Sequence, residues 1–248
     1  MRLTPPKLKP VSPEALALAG LWAALVDFAV AGLLLAGLVN AWAPPQDLPW
    51  KPFRLDRPVG LATAVQFARA AADPRLCRLA LSEGRVTFVE EPDRDLGECA
   101  TENTVRVRDG TAAPLAPAAP VVTCPMALSY AMWTRNVVQP AARETLGTPI
   151  SRIDHYGTYA CRNVYGRADG RRSEHAFANA IDVAGFRTAD GRRITVLRDF
   201  RRDDARGEFL RRVRDGACPW FRAVLSPDYN AAHRDHLHLD FGRFDLCR

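Results

Sequence analysis

The chain has 248 residues, 48% of them apolar and 25% charged, and carries a formal net charge of +6. That length fits one domain with extras or two small domains, and the composition excludes a chain disordered throughout. A cationic chain suits an anionic partner such as a lipid surface or a wall polymer, whereas nucleic acid is set aside because no Lys/Arg run with interleaved aromatics occurs.

Residues 1–14 form a tail that carries Arg2, Lys7 and Lys9. The apolar stretch Ala15–Ala43 follows, long enough to cross a bilayer, with Asp27 near its middle. The cationic flank predicts a cytoplasmic tail and places everything after residue 43 outside. The stretch ends in Ala-Trp-Ala, as a cleaved signal peptide would, but it exceeds a usual signal core and Pro44 follows directly. It also lacks the polar face of a buried core helix. The expectation is therefore an uncleaved, single-pass transmembrane signal-anchor helix in an inner membrane. All six cysteines (Cys77, Cys99, Cys124, Cys161, Cys218 and Cys247) lie beyond the span. An even number on the exported side predicts disulfides, with their pairing left open, and a periplasmic domain.

Residues 44–58 are rich in proline and lack periodicity, which predicts an extended linker to a domain spanning 59–248. Within that domain, residues 60–73 and 74–84 read as two short helices, with Pro74 opening the second. Residues 85–91 alternate like a strand, and 110–123 form a loop of low complexity. From Pro125 the apolar spacing is helical up to a stop at Gly147, with Pro140 kinking or dividing the helix. Residues 150–162 read as a strand leaving for a loop. Strands at 179–186 and 192–200 are joined by a turn at 188–192. An amphipathic helix spans 203–217, and the strand 236–241 closes the set. Mixed strands and helices without a βαβ rhythm predict an α+β fold with a small, largely antiparallel sheet flanked by helices.

The chemistry gathers in the last hundred residues, which hold all five histidines. In Ser-Glu-His-Ala-Phe-Ala-Asn-Ala-Ile-Asp, residues 173–182, Asp182 stands between Ile181 and Val183 on a predicted strand. An ionised carboxylate there needs a strong partner, and a divalent metal is one. On the last strand His236, His238 and Asp240 face one way, while Leu237, Leu239 and Phe241 face the core. Two strand steps separate the imidazoles by roughly 6–7 Å, which suits one as metal ligand and the other as a base acting on a water. Two His and one Asp with an open position is the ligand set of a catalytic zinc site. Asp235, Asp240 and His233 are candidates to orient these imidazoles. His155, like His233, reads as structural or as a support to the ligands, Ser173 as a local hydrogen-bonding residue, and Tyr156, Tyr159 and Asn230 as candidate cleft residues. Neither a GxSxG elbow nor an HExxH helix occurs.

Residues 173–182 resemble the S-x-H-x-x-G-x-A-x-D pattern of the LAS metallopeptidases (lysostaphin, D-Ala-D-Ala carboxypeptidase and hedgehog), and His236-Leu237-His238 resembles their H-x-H. The resemblance implies zinc ligation by His175, Asp182 and His238, with His236 as base. The segment Gly157–Arg162 resembles a further segment of these enzymes and implies that Arg162 lies near a substrate carbonyl or carboxylate. Two departures stand out. Ala178 occupies the usual Gly position, which is tolerable unless φ there is positive. No Glu base is present, so His236 must serve. Together with Tyr159–Arg162, 209–218 and 224–242, the same stretch also resembles the bacterial extensin-like C-terminal domain, over roughly residues 59–248. The implied activity is that of a zinc-dependent peptidoglycan hydrolase, a carboxypeptidase or endopeptidase anchored in the membrane and acting outside the cytoplasm. The alternative is a non-catalytic wall-binding or scaffold domain with a structural zinc.

Overall fold

The computed structural model describes residues 12–248; residues 1–11 of the expected cytoplasmic tail lie outside the described residues. The helices are α1 (Pro13–Trp42), α2 (Thr63–Ala72), α3 (Pro74–Glu83), α4 (Cys124–Trp133), α5 (Gln139–Leu146), α6 (Val196–Asp199) and α7 (Ala205–Asp215). The strands are β1 (Thr87–Glu90), β2 (Thr104–Asp109), β3 (Leu115–Ala116), β4 (Val121–Thr123), β5 (Ile150–His155), β6 (Ala180–Thr188), β7 (Arg193–Thr195), β8 (Ala223–Leu225), β9 (Leu237–Asp240) and β10 (Leu246–Cys247). The architecture is α+β, as the sequence predicts.

Helix α1 starts at Pro13 behind a Ser12 cap, whose hydroxyl accepts from the Ala15 N–H at 3.2 Å. Its polar residues are few (Glu14, Asp27 and Asn40), it shows no polar face and none of its 30 residues is buried, so it is long and apolar enough to cross a membrane. The segment 44–58 is not the extended linker expected from its prolines. Leu48, Phe53 and Leu55 are buried. The Gln66 side-chain amide donates to the carbonyls of Pro45 (2.9 Å) and Leu48 (2.7 Å), and Phe53 packs edge-on against Phe67. Proline suppressed the periodicity, yet three spaced apolar side chains were enough to dock the segment on α2 and α3.

Strands β1, β2 and β4 form a small antiparallel sheet. The larger sheet runs β10-β8-β9-β6-β5-β3, with β7 added along β6, and only its outer pairs β10–β8 and β3–β5 are parallel. Two sequence expectations change here. The low-complexity stretch 110–123 contains β3 and β4, short strands made by backbone pairing that side-chain alternation does not announce. The strand predicted over 192–200 stops at Thr195, where the Asp199 carboxylate accepts from the Thr195 N–H at 2.8 Å and the chain turns into α6. Strands β2, β8 and β10 have no counterpart in the sequence reading.

The predicted break at Pro140 is a π-turn over Thr134–Val138, after which α5 runs to Gly147 in the left-handed region (φ 71°). The turn brings Gln139 beside β5, where its side-chain amide pairs with both the N–H and the C=O of Ile150. Helices α4 and α7 cover one face of the large sheet. Trp133 lies against Phe186 and Phe221 and donates its indole N–H to the Val213 carbonyl, while Phe186 packs edge-on to Phe209. Ile181 and Val183 of β6 and Leu237 and Leu239 of β9 point into this core. Alternation therefore sends Asp182, His238 and Asp240 to the opposite face. All six cysteines pair, as Cys77–Cys124, Cys99–Cys161 and Cys218–Cys247.

Candidate metal centre

His175 sits on a single 3-10 turn, Glu174–Phe177, whose entry is capped by Ser173: the hydroxyl accepts from the His175 N–H at 3.4 Å. The turn closes through Ala178, which adopts φ 53° and is fully buried. The position does require positive φ, so the alanine there is the strained alternative to glycine. Ala178 donates to the His175 carbonyl and accepts from the Thr123 N–H, which holds the bend. The chain then enters β6, where Asp182 stands directly opposite His238 of β9.

This register brings three predicted residues together. One ligand atom from each of His175, Asp182 and His238 lies within 4.8 Å of the others. His175 Nε2 is 3.1 Å from Asp182 Oδ2, His238 Nδ1 is 2.9 Å from Asp182 Oδ1, and the two imidazole nitrogens are 3.3 Å apart. His175, Asp182 and His238 are all buried. His236 lies one residue before β9 and directs Nε2 to within 3.5 Å of Asp182 Oδ1.

The outer hydrogen bonds fix which nitrogen of each ring faces inward. His175 Nδ1 faces the Thr158 carbonyl at 3.3 Å, His238 Nε2 faces Asp240 at 3.0 Å, and His236 Nδ1 faces Asp235 at 2.9 Å. These partners are acceptors, so each outer nitrogen carries the hydrogen. The inner nitrogens of three imidazoles are left to converge on one carboxylate. With His175, His238 and the carboxylate as three donors, the set fits a divalent cation with a fourth position open beside His236, and the outer hydrogen bonds orient each ring. Asp235 and Asp240 fall where the sequence placed them, while the Thr158 carbonyl was unforeseen because a backbone atom leaves no trace in residue type.

Burial opposes ionisation of Asp182, yet hydrogen bonds and charge from His175 and His238 hold its carboxyl well below the ordinary range. Burial pushes the His238 imidazole down, but hydrogen bonds to Asp182 and Asp240 outweigh it and raise it to about 9. Burial, reinforced by His238 and His236, lowers His233 to about 4. His233 donates from Nδ1 to Asn230 Oδ1 at 2.8 Å, and its ring lies 5.2 Å from that of His236. It is a neutral neighbour of the cluster. His155 faces the Pro117 carbonyl, with Nε2 at 2.9 Å.

The cluster forms the floor of a cleft of about 890 Å³. Arg162 lines its wall next to the Cys99–Cys161 disulfide and is exposed. Its backbone carbonyl accepts from Ser173, and its guanidinium has no partner among the described residues. Of the three predicted cleft residues, Tyr156 instead stacks edge-on to His236 with centroids 6.0 Å apart, and Asn230 braces Tyr165 and His233 from behind. Tyr159 does not line the cleft. The lining aromatics are Tyr165, Tyr229 and Phe244, accompanied by Arg171 and Arg243. No local pattern marks these five; loop folding alone assembles them.

Fold and site together define an α+β domain with a buried His–Asp–His cluster at the floor of an open cleft. A family model described as extensin-like protein C-terminus matches residues 75–248, and the chain belongs to that family. No curated protein and no solved structure matches the chain.

Proposed function

We propose that the protein is a zinc-dependent peptidoglycan hydrolase, a carboxypeptidase or endopeptidase related to the LAS metallopeptidases. The observation that carries this reading is the convergence of His175 Nε2, His238 Nδ1, His236 Nε2 and the Asp182 carboxylate at the floor of the cleft. His175, Asp182 and His238 would hold the ion. Bound there, zinc would supply Lewis acidity that lowers the pKa of a water and polarises an amide carbonyl.

The chain's own residues account for the proton movements. His236 Nε2 takes a proton from the attacking water and delivers it to the departing amine as the C–N bond breaks, leaving a carboxylate and an amine. Asp235, on the far side of the ring, keeps the hydrogen on Nδ1 and stabilises the imidazolium formed in between. Arg162 offers its unpaired guanidinium to developing negative charge or to a substrate carboxylate. The apolar α1 and three disulfides support a membrane-anchored domain outside the cytoplasm.

The test is metal analysis of the purified full chain, followed by incubation with purified sacculi. Zinc at one equivalent and released muropeptides, with release lost in His236→Ala, is the expected result. Bound zinc with no release from any sacculus type overturns the enzyme in favour of a zinc-stabilised wall-binding domain. Absence of metal from protein never exposed to chelator overturns both.

A further inference from the structure

One wall of the cleft carries arginines that pair with no carboxylate among the described residues. That wall consists of the loop 161–173, closed by the Asn163–Arg172 bridge, and the C-terminal segment 242–246. Three of the four carboxylates that line the cleft are paired with cationic groups, and the fourth, Glu174, has only an amide partner and lies against Gly242. Asp182 and Asp240 hold His238, Glu174 accepts from the Asn179 amide at 3.0 Å, and Asp245 pairs with Arg222 at 2.8 Å. Arg171 and Arg243, like Arg162, pair with no carboxylate among the described residues.

Arg171 is nevertheless placed. Its guanidinium carbon lies 4.5 Å from the centre of the Phe244 ring. The contact holds the guanidinium in place while its N–H groups have no partner among the described residues, which leaves them available for bidentate capture of a carboxylate. Arg243 precedes Phe244 in the chain, and the Cys218–Cys247 disulfide ties down the segment that carries both.

The geometry points to an anion subsite at Arg171 and Arg243, taking a free carboxylate borne by the peptide away from the bond acted on. This inference rests on the peptidoglycan reading, and it specifies acidic stem peptides over their amidated counterparts. The probes are two synthetic stem peptides, both C-terminally amidated so that neither ends in a carboxylate. They differ only in whether the glutamate α-carboxyl is free or amidated.

Binding is measured by calorimetry on the metal-stripped full chain in detergent, where no turnover occurs. The free-carboxylate peptide is expected to bind about tenfold more tightly than the amide, because a charge-assisted hydrogen bond replaces a weaker contact. Arg171→Gln combined with Arg243→Gln abolishes that preference, while the circular dichroism spectrum stays unchanged. Equal affinity for the two peptides, no binding of either, or a preference that survives the double substitution overturns the subsite. A preference that behaves as expected in a chain whose zinc form hydrolyses nothing leaves the subsite standing and overturns the hydrolase.

Discussion

Asp182 and His238 are direct cross-strand partners in the β6–β9 pair, and their side chains meet at 2.9 Å on the face of the sheet away from the core. The pair is buried, so each charge depends on the other. Asp182→Ala should abolish stoichiometric zinc binding. In chelated protein it should also lower the unfolding free energy by about 3 kcal/mol, because it leaves the His238 charge buried beside fewer partners. Denaturant titration with and without chelator, alongside metal analysis, measures both effects.

His236 has a different position in the cluster, with Nε2 3.5 Å from Asp182 and Nδ1 held by Asp235. His236→Gln should leave zinc at the wild-type stoichiometry while muropeptide release falls by about a hundredfold or more. Loss of zinc together with activity would instead make His236 a ligand.

The pH profile of the metal-free protein follows from two histidines shifted in opposite directions from an ordinary value of 6.5. His238 is raised to about 9, so its contribution to stability is complete below pH 6.5 and is lost as pH rises through 9. His233 is lowered to about 4, so its contribution is present above pH 6.5 and is lost as pH falls through 4. Denaturation midpoints of chelated protein should therefore peak near pH 6.5 and fall on both sides. Saturating zinc should remove the alkaline fall, since ligation displaces the proton from His238. A flat profile on the alkaline side in chelated protein would contradict the account.

Ala178 occupies a buried left-handed position at φ 53°. Ala178→Val should destabilise the protein by about 2 kcal/mol, since a β-branched side chain is least tolerated there. Ala178→Gly should retain both the fold and zinc binding. Thermal melts of the two variants decide it.

The docked segment 44–58 makes its own prediction. Phe53 is 6% exposed and packs on Phe67. Phe53→Ala should cost about 3 kcal/mol, the range for a buried aromatic, whereas a free linker would show no change. Equilibrium unfolding measures the difference.

Much of this was legible because it is local. The apolar span, the helix start at Pro74, the Gly147 stop and the paired helices α2 and α3 each express a backbone preference within a few residues. Period-two alternation placed His238 and Asp240 on one face and Leu237 and Leu239 on the other. The linker was misread because three apolar contacts outweighed its proline content. Strands β3 and β4 were missed because short pairings are chosen by the neighbouring strand and not by their own side chains.

The sequence by itself determined the chemical inventory: His175, Asp182, His236 and His238, the carboxylates Asp235 and Asp240 beside them, and six cysteines on one side of an apolar span. Residue type sets what each group can donate, accept or ligate, and no folding changes that. Only the tertiary structure decided which nitrogen of each imidazole faces the Asp182 carboxylate, that Ala178 must adopt positive φ, how the cysteines pair, and that Arg171 and Arg243 share a cleft with Arg162. These depend on strand register and loop closure, which join residues some sixty positions apart through contacts that neither end specifies alone.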